Sequence, residues 1–134
     1  MPEVDVVDST WIDVGPATLA AEIAEPASWP RWWPDLVLQV DEWRGSKGMR
    51  WFVRSARNGL ATGSMEVWLQ PVDDGTVAHY FLRLDGTGAP LGRRERERLV
   101  HEYRVRAKQV FWGLSDRLDP GRLARVGGPP DTIP

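Results

Sequence analysis

Hydrophobic and polar residues alternate through the first two thirds of this chain and then change to a helical period near its end. Residues 3–12 place Val4, Val6 and Ile12 on one side of a strand and Val7 and Trp11 on the other. Gly15-Pro16 interrupts that pattern, and proline suits a first helical turn. A short helix is therefore predicted from Pro16 to about Glu25, with Leu19, Ala20 and Ile23 as its apolar face. Pro26 ends it. Ser28 is placed to cap a second short turn through Trp32 and Trp33, closed by Pro34.

Four strands are predicted next. Residues 36–44 alternate through Leu36, Leu38 and Val40, and residues 49–56 through Met49, Trp51 and Val53. Residues 61–71 carry Met65, Val67 and Leu69, and residues 76–85 carry Ala78, Tyr80, Leu82 and Leu84. Turn signals separate them at Arg44 to Gly48, at Asn58-Gly59 and at Asp73-Asp74-Gly75. Turns this short imply antiparallel neighbours. From Pro90 or Arg93 to Leu118 the apolar residues Leu99, Tyr103, Ala107, Val110, Phe111, Leu114 and Leu118 fall on one helical face. Asp119-Pro120-Gly121 stops this helix, so the expected organisation is one domain over 1–118 and a flexible tail over 119–134.

Composition narrows the class. A chain of 134 residues with 42% hydrophobic and 27% charged residues is a globule with one core. It has no cysteine, which removes disulfides, thiolate nucleophiles and Cys-ligated metals. No apolar run is long enough to span a bilayer, and the acidic start does not read as a signal peptide, so the expected compartment is the cytoplasm. The net charge of −2 argues against nucleic acid as a partner. That charge is uneven. Residues 1–92 carry 7 Lys/Arg against 13 Asp/Glu, and residues 93–118 carry 8 against 4. Arginine and other GC-rich-codon residues dominate, a compositional pointer to a bacterial source.

Strand, two short helices, antiparallel meander and long C-terminal helix together resemble the START-like superfamily, in particular its polyketide cyclase/dehydrase and lipid-transport group. The likeness rests on Val14-Gly15-Pro16-Ala17, on Trp29 through Pro34-Asp35, on Val67 to Pro71 with Asp74 to Val77, and on the helix from about Glu97 to Leu118. It implies an α+β helix-grip fold, with a curved antiparallel sheet of about five strands around the long helix. Members usually have six strands between the short helices and the long one. This chain has room for four, a hairpin fewer.

The resemblance also implies a pocket between sheet and long helix that takes a hydrophobic small molecule, lipid-, polyketide- or isoprenoid-like. The physical reading agrees, because ligand pockets are mostly apolar with a few polar groups. Candidate lining residues are Trp32, Trp33, Trp51, Met65 and Val67, with Tyr80, Leu82, Tyr103, Ala107 and Phe111. Two adjacent tryptophans between prolines cannot both point into one core, so one of Trp32 and Trp33 is expected at a rim. Arg50, Arg54, Glu66, His79 and Arg83 are expected on the opposite, solvated face.

Catalytic signals are sparse. His79 and His101 are the only histidines, without HxH or HExxH spacing, and no serine sits in a nucleophile elbow, so no metal and no cofactor are expected. Glu22, Asp35 or Glu66 could pair with Arg or Tyr for acid–base work. Three readings stand: a carrier of an apolar molecule, an aromatase/cyclase-type enzyme, and a protein-interaction module using Arg93 to Arg98. Unpaired sheet edges also leave room for a homodimer.

Overall fold

The computed structural model describes residues 3–55, 60–86 and 90–118. The hairpin expected at Asn58-Gly59 and the tail over 119–134 lie outside the described residues. In chain order the elements are β1 (Val4–Ile12), α1 (Pro16–Ile23), α2 (Trp29–Trp32), β2 (Leu36–Trp43), β3 (Gly48–Ser55), β4 (Leu60–Val72), β5 (Gly75–Gly86) and α3 (Arg93–Leu118). Single 3-10 turns, Pro26–Ser28 and Gly45–Lys47, precede α2 and β3.

The strands form one antiparallel sheet in the order β1-β5-β4-β3-β2, so β1 and β2 are its edges. Four strands follow the short helices, as the alternation predicts. Register explains which residues meet. Trp51 lies opposite Met65, Met65 opposite Leu82, and Leu82 opposite Val6, giving one buried row across four strands. This apolar inner face is covered by α1 and by the buried stripe of α3, from Leu99 to Leu114. Lys108 fixes α3 to β1, donating to the Ser9 carbonyl at 2.7 Å and the Thr10 hydroxyl at 2.8 Å. The arrangement is the helix-grip α+β fold.

Local differences from the sequence reading have physical causes. α1 ends at Ile23, short of Glu25, because Glu25 already starts the next turn and accepts a hydrogen bond from the Ala27 N–H at 3.2 Å. Ser28 occupies the cap position of α2 without capping it through its side chain. Its hydroxyl instead accepts from Arg31 at 3.0 Å. Val40, expected to alternate with Leu36 and Leu38, is 44% exposed. The register shifts between Val40 and Glu42, and the edge strand leaves the covered face there. Gly48 opens β3 with φ at +114°, and a Cβ there would lie 2.0 Å from the Val67 carbonyl oxygen, so only glycine fits.

Candidate functional site

Six rings run as one path from α2 to α3. Trp29 meets Trp51 edge-on at 5.6 Å, and Trp32 meets Trp33 edge-on at 5.8 Å. Trp33 leans on Trp51 at 6.2 Å and lies parallel to Tyr80, also at 6.2 Å. Tyr80 in turn meets Phe111 of α3 edge-on at 6.3 Å. Three prolines produce this geometry: Pro26, Pro30 and Pro34 confine the segment to a 3-10 turn and one short helix. Successive tryptophans then face different directions. Trp33 turns inward and is buried, while Trp32 stays half-buried at the edge of α3.

The other candidates from sequence, Trp51, Met65, Val67, Tyr80, Leu82, Tyr103, Ala107 and Phe111, are all buried in the same core as Trp33. Trp29, partly buried, packs against this core and was missed. Its position four residues before Trp33 was the available signal. The Trp29 indole N–H donates to the Ile23 carbonyl at 2.8 Å, which ties α2 to the end of α1.

Polar groups inside this shell are few and incompletely satisfied. The Tyr80 hydroxyl donates to the Met65 sulfur at 3.3 Å, a weak acceptor, and burial pushes this phenol's pKa well up. The indole N–H groups of Trp33 and Trp51 are buried with no hydrogen-bond acceptor among the described residues. Trp33 nonetheless interacts with the Tyr80 side chain, which opposes part of the effect of burial on that phenol. Leaving a buried donor unmatched costs about 1–3 kcal/mol.

At the edge of the shell lies a clamp. The Tyr103 hydroxyl donates to Asp35 Oδ2 at 2.6 Å, and Arg106 donates to Asp35 Oδ1. Arg106 also lies over the Tyr103 ring, 5.2 Å from its centroid, and 3.6 Å from Glu102. Burial opposes ionisation of Asp35. The Tyr103 hydrogen bond and the Arg106 charge outweigh it and hold the carboxyl below the ordinary aspartate range. The pair Glu102–Arg106 is legible from its four-residue spacing, but the stronger partner, Asp35, is 71 residues away in sequence. The hint for Tyr103 was chemical, since a hydroxyl on the buried face of a helix must find an acceptor.

Beyond the clamp, Arg31 and Trp32 of α2 and Arg106, Gln109, Val110, Gly113, Leu114 and Arg117 of α3 enclose a cleft of about 290 Å³. Sequence reading missed it, although its α3 members recur at helical spacing. Elsewhere, His79 lies outside the shell as expected, between Ser9 Oγ at 2.9 Å and Gln70 Oε1 at 2.8 Å, with Trp68 stacked on it. Of the arginines at the start of α3, Arg93 pairs with Glu97 at 3.1 Å and Arg98 with Glu95 at 3.6 Å, whereas Arg96 reaches Glu3 beside β1 at 3.8 Å. Among the described residues no three His, Asp or Glu side chains converge to hold a metal, and no helix is long and apolar enough to cross a membrane.

Comparison with known proteins gives the class of fold. No protein-family model matches the chain, and no curated protein matches it in sequence. Solved structures do match. A START superfamily protein from Mycobacterium smegmatis is similar over 85% of this chain and 98% of its own, with a TM-score of 0.65 at 11% identity. The di-domain ARO/CYC protein StfQ of the steffimycin biosynthetic pathway matches 89% of this chain and 51% of its own, with a TM-score of 0.66 at 11% identity. The Aha1 dimer from Colwellia psychrerythraea matches 84% of this chain and 96% of its own, with a TM-score of 0.60 at 10% identity. The chain has the START-like helix-grip fold.

Proposed function

We propose that this protein binds a small hydrophobic molecule bearing at least one hydrogen-bond acceptor, such as a ketone, between the inner sheet face and α3. The observation that carries this reading is the pair of unmatched indole donors, Trp33 and Trp51, whose rings lie 6.2 Å apart inside the aromatic shell. Native interiors match their buried donors, and one carbonyl oxygen placed between these rings would answer the need. The START-like fold supports it, since an ARO/CYC protein shares this architecture. Access runs through α2, a four-residue helix held between prolines, with Trp33 as the side chain that must leave its stack with Tyr80. Residues 1–118 form the binding domain, and lipid-, polyketide- and isoprenoid-like molecules are the ligand classes.

An enzymatic reading gains less from the geometry. Asp35 touches the buried Tyr103, yet both its oxygens already accept charge-assisted or short hydrogen bonds and its proton affinity is lowered. Such a group suits holding α3 against β2 better than abstracting a proton. The test of the binding reading is a titration of the ¹⁵N-labelled protein with benzophenone and with diphenylmethane, its match in size without the carbonyl. Benzophenone is expected to shift the Trp33 and Trp51 indole resonances downfield while those of Trp68 and Trp112 stay in place. Equal response to both probes, or none at Trp33 and Trp51, overturns it.

A further inference from the structure

The cleft between α2 and α3 has a chemistry of its own. Every charged side chain lining it is a guanidinium, from Arg31, Arg106 and Arg117. Among the described residues Arg31 makes one hydrogen bond, to the neutral Ser28 hydroxyl, so most of its five N–H donors have no acceptor there. Arg106 and Arg117 are steadied from outside the cleft, Arg106 by Asp35 and by Glu102 at 3.6 Å, and Arg117 by Glu22 at 2.5 Å. Those carboxylates set the direction of each guanidinium without lining the cleft themselves. The apolar part comes from Trp32 and from Val110 and Leu114, which are 6% and 2% exposed. Gly113 completes it by having no side chain, and a Cβ there would meet no atom within 4 Å.

We infer that this cleft is a binding site for an oxyanion, a carboxylate or phosphate group, carried on a small apolar body. Planar guanidiniums match the paired oxygens of either anion, and charge-assisted bonds of this kind are about twice as strong as neutral ones. The body lies against Trp32, Val110 and Leu114. At about 290 Å³ the cleft stands at the small end of ligand sites, which fits a single-ring acid and not a long-chain lipid. The site does not rest on the interior reading, because Trp32 alone of the six rings lines it.

The experiment titrates the ¹⁵N-labelled full chain with sodium benzoate, phenyl phosphate, benzyl alcohol and inorganic phosphate. Benzoate or phenyl phosphate is expected to shift the Gly113 amide and the Trp32 indole saturably, and the tighter of the two identifies the anion. Arg31→Gln and Gly113→Glu should each weaken that probe by about tenfold or more. Gly113→Glu replaces a helical glycine, so the helix itself is not weakened, and an unchanged melting temperature verifies folding. Arg94→Gln, on the same helix, should leave binding unchanged. The inference is overturned if benzyl alcohol or bare phosphate binds as well as the two acids, or if Gly113→Glu leaves the affinity intact. It is equally overturned if no saturable shift occurs, or if the shifts fall on Trp33 and Trp51, which report the interior.

Discussion

The eight tryptophans fall into two groups that behave as different materials. Trp29, Trp32, Trp33 and Trp51 gather where α2 meets the inner sheet face, ring against ring. Trp11, Trp43, Trp68 and Trp112 stand 42–52% exposed. Two of the outer rings act as local covers. Trp68 lies on His79, and Trp11 lies so close over Gly75 that a Cβ there would come within 2.1 Å of the indole. Composition alone treats all eight alike; the pleat separates those on strands, because adjacent strand positions point to opposite faces. The inner group supplies a continuous shell with unmatched donors, and the outer group supplies isolated apolar surface.

The largest expected effect breaks the shell. Trp51→Ala removes a fully buried ring that touches both Trp29 and Trp33, and should cost about 3–5 kcal/mol in urea unfolding. A loss below about 1 kcal/mol would mean that the inner rings are no better packed than the outer ones. The next effect is at the clamp. Asp35→Ala leaves the buried Tyr103 hydroxyl and the Arg106 guanidinium without this acceptor and should cost about 1–3 kcal/mol. The clamp also predicts a pH dependence. Asp35 has a folded pKa below its unfolded one, so its contribution is complete above the unfolded value and is lost as pH falls through the folded value. Acid titration of stability should therefore be shallower in Asp35→Ala than in the parent, with the two curves converging at the lowest pH.

Much of this architecture was legible because it follows from periodicity. Alternation fixed β3 to within a residue or so, and the one-sided stripe from Leu99 to Leu114 predicted the buried face of α3. Of that buried face only Ser115 was unforeseen, a small polar residue that no hydrophobic pattern selects. The clamp was not legible as a unit. Asp35 and Arg106 come from elements joined only by the tertiary fold, and local spacing offered Glu102 as the partner instead. The cleft was hidden for a related reason. Its walls come from two helices, and part of its room comes from the missing side chain at Gly113. Likewise, strand alternation identifies an inward indole but says nothing about whether its N–H finds an acceptor.

The smallest expected effect sharpens the comparison from the outer side. Trp68→Ala removes a ring that is 42% exposed and whose described ring contact is the stack on His79. If the outer face meets solvent, the cost should be about 1 kcal/mol or less, independent of protein concentration. Phe52, Val7 and Trp11 also stand about half exposed on this side of the sheet, so a second copy of the chain seated there would bury them with Trp68. In that case Trp68→Ala would cost far more, and the melting temperature of the parent would rise with concentration, because association stabilises by mass action. Melting curves over a hundredfold range of concentration, with sedimentation of both proteins, separate the outcomes. A concentration-independent transition keeps the outer tryptophans as surface covers, whereas a rising one makes them half of an interface and turns the expected homodimer from an edge pairing into a face pairing.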